Sequence, residues 1–233
     1  MTPLFMASSR GFIKVVKLLL EHNANPNFGN RFNDTPLFAA CENGYTEIVK
    51  LLLEFQADPN LYNNYNVSPL QVVVENGFSD VVSLLLTHGA NPNHNANGNG
   101  PPLILASQRS YFNIVTLLLN FNADPNICNF KGETCLHLAS QIGEVDIVRL
   151  LLQNNADPNI VDNSLNTPLH IASHTVRKLV CITSEAARKS SVLKDLSKLF
   201  SLYADYNMRL FYQRWIEIVK LLLASSADPF SVV

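Results

Sequence analysis

His170 and His174 stand four residues apart, the spacing at which one face of a helix offers two imidazoles to a metal ion. Cys181 is the thiol closest behind them in sequence, and it completes a ligand set only if the segment around it folds back. The other cysteines, Cys41, Cys128 and Cys135, show no paired spacing. Cys41 and Cys135 fall where small side chains pack, so they read as reduced structural thiols. The chain contains no Gly-rich phosphate loop, no nucleophile elbow and no zinc-protease signature. These residues therefore predict a protein that is not an enzyme and carries no cofactor.

The elements that hold those histidines repeat. Thr2-Pro3-Leu4, Thr35-Pro36-Leu37, Ser68-Pro69-Leu70, Pro101-Pro102-Leu103, Thr134-Cys135-Leu136 and Thr167-Pro168-Leu169 follow one another every 33 residues. A triple leucine begins sixteen residues after the start of each of the first five, at Leu18, Leu51, Leu84, Leu117 and Leu150. An Ala-Asx-Pro-Asn block closes each repeat, from Ala24, Ala57, Ala90, Ala123 and Ala156. Three markers in one period define a repeat array, one continuous domain whose core grows by stacking.

Residues 35–67 show how one repeat is built. Thr35 caps a helix whose first position is Pro36, where a missing N–H costs nothing. Leu37, Ala39, Ala40 and Cys41 make it short and small-sided, and Gly44 supplies the left-handed residue that ends it. Ile48, Val49, Leu52 and Leu53 then lie on one face of a second helix. Asp58-Pro59 and the Asn-rich run from Asn60 to Asn66 stop that helix and form a loop and a tight hairpin.

Hairpin, helix, turn and helix at this period resemble the ankyrin repeat, and the Thr-Pro-Leu-His form of its marker stands whole at Thr167 to His170. The resemblance covers about residues 2–176 and 215–230. It implies an all-α repeat of helix-turn-helix pairs with β-hairpin loops, an ankyrin-type solenoid whose short helices and hairpins line a concave face. It implies repeats near 2–34, 35–67, 68–100, 101–133, 134–166 and 167–233 within a single array over 1–233. At the Thr-Pro-Leu-His position it gives His137 and His170 a structural duty, supporting the hairpin by hydrogen bonds. It also makes Asn60, Asn126 and Asn159, each preceded by Leu52, Leu118 or Leu151, candidates for an asparaginyl hydroxylase, with Pro59, Pro125 and Pro158 in place of the usual aliphatic residue. The family's glycine before the Ala-Asx block survives only as Gly89; Asn23, Asn122 and Asn155 suit its left-handed geometry, and Gln56 suits it less. The inter-helix glycine recurs as Gly11, Gly44, Gly77 and Gly143 and is replaced by Ser110 in the fourth repeat.

The sixth repeat is interrupted. Its second triple-leucine helix, Trp215 to Leu223, comes 38 residues late, and Val176 stands where a left-handed turn is needed. A basic insertion at about 177–214 is expected there, with an amphipathic helix over about 191–204. The rival parse is a decayed extra repeat around Phe200-Ser201-Leu202. Eight Lys/Arg against three Asp/Glu give residues 177–214 a balance of +5, while the remainder carries −7 within the total of −2. A flap folded onto the acidic repeats is the expected role, with attachment to an anionic membrane surface as the alternative. Lys14 and Lys17 interrupt the first leucine run, so no signal or transmembrane segment is expected, and the location expected is the cytoplasm, with the nucleus left open.

Recognition of a partner protein is the function that this pattern favours, and nucleic acid is not expected. The hairpin tips hold Arg31, Phe32 and Asp34, then Asn64 and Tyr65, then Phe130, Lys131 and Glu133. Phe32 and Tyr65 share a register position and either project together or lie flat across a neighbouring hairpin. At the ends of the short helices, Glu42 and Glu75 make the first half of the face acidic, and Arg109 with Lys131 tilts the middle towards basic. The alternative function is a targeting or regulatory segment of a larger enzyme or channel. The chain is expected to be monomeric or part of a longer one.

Overall fold

A computed structural model of the chain describes residues 2–95, 100–175 and 213–225. It divides into two compact units, Met1–Phe130 and Lys131–Val233. The first contains α1 (Pro3–Ser9), α2 (Ile13–Glu21), α3 (Pro36–Glu42), α4 (Thr46–Glu54), α5 (Pro69–Asn76), α6 (Ser79–Thr87), α7 (Pro102–Gln108) and α8 (Phe112–Asn120). Within it the first helices of successive repeats pack side by side, α1 on α3 on α5 on α7. The second helices form a parallel row, α2 on α4 on α6 on α8. The second unit contains α9 (Cys135–Ile142) and α10 (Val145–Gln153), followed by helices over 168–175 and 213–224.

Every first helix but one starts on a side-chain cap. Thr2, Thr35 and Ser68 hold extended backbone and accept from the N–H three residues on. Thr134 does the same for α9, where His137 closes a reciprocal capping box. Pro101 offers α7 no such oxygen. In the first five repeats both helices stop in the same way, with a residue at positive φ that lets the next N–H reach a carbonyl five residues back. Gly11, Gly44, Gly77, Ser110 and Gly143 serve the first helices, and Asn23, Gln56, Gly89, Asn122 and Asn155 the second. Ala57 N–H donating to Leu52 O at 2.9 Å is typical, and the same position holds Ala24, Ala90, Ala123 and Ala156, of which the last three are buried.

The glycines at the helix turns have a second use. A Cβ on Gly44 would stand 3.0 Å from the Phe78 ring, and one on Gly11 or Gly77 would meet Tyr45 or Tyr111 at 3.1 Å. Tyr45, Phe78 and Tyr111, which open second helices, therefore each lie on the glycine of the repeat before. In the second unit Trp215 is buried against Gly143 in the same manner, so the helix over 213–224 takes the place of a second helix in the stack. Ile218 and Leu222 are fully buried with it, and Arg149 donates to Glu217 at 3.1 Å. The expected turn at Val176, the amphipathic helix over 191–204 and nearly all of the 177–214 insertion lie outside the described residues.

Leu37, Leu52, Leu85 and Leu118 are wholly buried in the first unit, as are Leu136 and Leu151 in the second. The hairpins are turns rather than paired strands: among the described residues no strand occurs. Hairpins 30–34, 63–67 and 162–166 each close with two backbone bonds, such as Asn63 N–H to Val67 O at 3.1 Å and Asn66 N–H to Asn63 O at 2.9 Å, and five residues leave no length for a ladder.

Candidate partner-binding surface

The hairpin tips are shaped by an Asx residue at each base. Asn30 Oδ1 accepts from Phe32 and Asp34 N–H, and Asn63 Oδ1 from Tyr65 and Val67 N–H, at 2.7–3.1 Å. Asp162 does the same for Ser164 and Asn166 N–H, both at 2.8 Å. Such side chains mimic a backbone turn and fix the tip without a strand ladder. The sequence signal for them, an Asx one place before the tip, is visible in Asn30, Asn63, Asn129 and Asp162 once the register is known, and Ala96 breaks the series in the third repeat. Reading the tips by exposure alone passes over it.

Two tips of the first unit are fused into one surface. Asn64 N–H donates to Phe32 O at 2.8 Å, and Asn64 Nδ2 to Arg31 O at 3.2 Å. The Phe32 and Tyr65 rings meet with centroids 6.3 Å apart at 31°, and Arg31 lays its guanidinium 4.7 Å above the Phe32 ring. The rings thus touch each other and remain open to solvent, Phe32 at 38% and Tyr65 at 61%. Asp34 turns inward: its carboxylate accepts from Asn30 Nδ2 at 2.8 Å and Asn63 Nδ2 at 3.0 Å, so it braces the tips instead of presenting a charge.

On the short helices Glu42 is exposed, and its carbonyl accepts from Asn76 Nδ2 at 3.3 Å. Glu75 and Arg109 form an exposed ion pair at 3.6 Å. Within this pair the two charges offset each other locally. Such an exposed pair adds little stability. Phe130 ends the first unit with its ring exposed. In the second unit Lys131 is exposed, its carbonyl accepts from Asn163 N–H at 2.9 Å, and Glu133 is half-buried.

The His170 imidazole is committed to the scaffold, and His174 is exposed. His170 Nδ1 lies 3.2 Å from Thr167 N and 2.8 Å from Thr167 Oγ1, which occupies one of the two ring nitrogens. His170 and His174 border an open hollow with Glu133 and Asp162, and among the described residues no group of three or more His, Cys, Asp or Glu is placed to hold a metal. Cys181 lies outside the described residues. Burial pushes the Cys41 thiol far up, and burial followed by the Asp124 carboxylate raises Cys128, so neither thiol is activated. No described helix is long and apolar enough to cross a membrane.

A helix pair closed by two left-handed turns, capped by Thr-Pro and repeated through both units, defines a class of repeat protein. The family described as ankyrin repeats matches residues 1–63, 55–129 and 103–187, and the chain belongs to it. Among solved structures, an ankyrin repeat domain from Acinetobacter baumannii is similar over 97% of this chain and 98% of its own, at 25% identity and a TM-score of 0.77. The ankyrin repeat protein EF0377 is 31% identical, with a TM-score of 0.68 over 73% of this chain and 90% of its own. The ankyrin repeat domain of Bcl-3, of the IkappaB protein family, is 30% identical, with a TM-score of 0.68 over 73% and 77%. No curated protein sequence matches. Ankyrin repeats are in general protein-interaction modules, and proteins built from them are in general non-enzymatic scaffolds.

Proposed function

We propose that this chain is a scaffold that binds a partner protein on its hairpin tips and the exposed ends of its first helices, with no bond made or broken. The observation that carries this reading is the Arg31–Phe32–Tyr65 cluster, large apolar area held in the open by a braced pair of turns. Aromatic and arginine side chains dominate binding energies at interfaces. The Asn30 and Asn63 turns hold them in place before binding, so little side-chain freedom is lost on association. Glu42, with its carboxylate exposed at the end of α3, would add a polar contact at the rim.

The test is titration of the protein that wild type captures against a Phe32→Ala/Tyr65→Ala double variant. A control variant, Lys50→Ala, changes an exposed residue of α4. The tip variant should weaken binding by at least about tenfold, as loss of interface anchors does, and the control should not. Equal affinity of all three would overturn the assignment.

A further inference from the structure

We propose that the hairpin over 162–166 is an acid-sensitive clasp, held closed by the neutral imidazole of His137. The ring is fully buried in the second unit, and both nitrogens are engaged. Nδ1 accepts from Thr134 N–H at 3.1 Å and lies 2.8 Å from Thr134 Oγ1; Nε2 lies 3.0 Å from the carbonyl oxygen of Asn166, at the hairpin base. A backbone N–H only donates and a carbonyl only accepts, so these partners fix one tautomer, Nδ1 bare and Nε2 protonated. A proton added at Nδ1 faces the Thr134 N–H, donor against donor. The Thr134 hydroxyl can rotate to accept, but the backbone cannot. To be charged the ring must leave its seat, and it then releases both the start of α9 and the Asn166 carbonyl.

The surrounding charges set the sign. Burial drives the His137 pKa below the ordinary histidine range, against the Asn166 carbonyl and the Asp162 and Glu133 carboxylates, which favour charge. Asp162 is partly buried, which favours its protonation, yet the N–H and amide of Asn166 and the Ser164 N–H hold it below the usual carboxylate range. Lys131 is the nearby cation in sequence, and His170 and His174 are the other imidazoles of this region, both on the helix over 168–175. An unfolded histidine titrates near 6.5, so the closed clasp is fully favoured above that pH and loses stability as pH falls towards the lower folded value.

Two features set this position apart from the same place in the first unit. Its register position holds Phe5, Phe38, Gln71 and Ile104 in the first unit, none of which titrates. The clasp also has a weak turn: Leu165 sits at φ 61, where the other tips place Asn33, Asn66 or Gly132. A leucine there is strained, which lowers the cost of opening.

The experiment is nitrogen NMR of the His137 ring in the full chain, with hydrogen exchange of the 162–166 amides corrected for intrinsic rates, between pH 7.5 and 5. We expect the Nε2–H tautomer at pH 7.5, titration below 6.5, and opening that rises by up to about tenfold per pH unit at its steepest. The amides of hairpin 30–34, whose hydrogen-bond partners include no histidine, should show no such rise. His137→Gln, which mimics the buried Gln71, should flatten the response. A ring that titrates at or above 6.5 without loosening the hairpin overturns the proposal, as does an undiminished acid response in His137→Gln. If that variant fails to fold, the wild-type ring titration decides.

Discussion

Ser110 occupies a left-handed turn, φ 58, that glycine fills in four other repeats. A side chain in that region costs about 1–2 kcal/mol, so Ser110→Gly should raise the free energy of unfolding in urea by about 1 kcal/mol. Gly44→Ala should do the reverse and by more, because its new methyl meets the Phe78 ring at 3.0 Å as well as a φ of 69. Both would be read from the same denaturation midpoints; a neutral Gly44→Ala would refute the ring contact. The sequence carries a trace of this pairing. The repeat that loses its glycine at Ser110 is followed by Glu144 where Tyr45, Phe78, Tyr111 and Trp215 stand in other repeats. Gln56 was harder to read, since glutamine does not favour this conformation, yet it adopts φ 64 because the Ala57-to-Leu52 bond closes the turn around it. The Asx bases of the tips were hidden for another reason. Asparagine fills both the closing blocks and the hairpins, and composition cannot tell a bracing amide from a solvated one.

At the scale of single elements, capping and burial separate cleanly. Thr35→Ala and Ser68→Ala each remove an oxygen that accepts from the third helical N–H at 3.1 Å, at an expected cost of about 1 kcal/mol. Leu52→Ala and Leu118→Ala empty fully buried sites and should cost about 2–5 kcal/mol. Thermal or urea unfolding of the four variants would rank them, and a cap variant as damaging as a leucine variant would contradict the scheme. These helices were legible almost residue by residue, because cap, proline, leucine triplet and left-handed stop recur in one register. The hairpins were legible as reversals but not as turns without strands, since length and Asx bonding, not alternation of side chains, decide that. Trp215 and the leucines after it marked a second helix displaced along the chain, and the Gly143 contact supplies the physical reason that it joins the stack.

Within the first unit the repeats are tied by more than apolar contact. The closing Asn27, Asn60 and Asn93 each reach into the next repeat with the whole amide. Asn60 Oδ1 accepts from Asn91 N–H at 2.8 Å, and its Nδ2 donates to Gly89 O at 2.9 Å. Asn27 engages Asp58 N–H and Gln56 O, and Asn93 engages Asp124 N–H and Asn122 O, in the same way. Each amide therefore locks the left-handed stop of the following second helix to its own repeat. A stack of this kind is a chain of neighbour couplings, so stability can be lost locally before it is lost everywhere. Asn60→Ala removes two such bonds and should cost about 1–2 kcal/mol. The stronger prediction concerns where that loss is felt. Hydrogen exchange should quicken first in the helices on either side of the broken clamp, α3 to α6, while α8 keeps its protection until denaturant is added. If protection instead falls evenly over all eight helices of the first unit, that unit unfolds as one cooperative body and the amide ladder is not what joins its repeats.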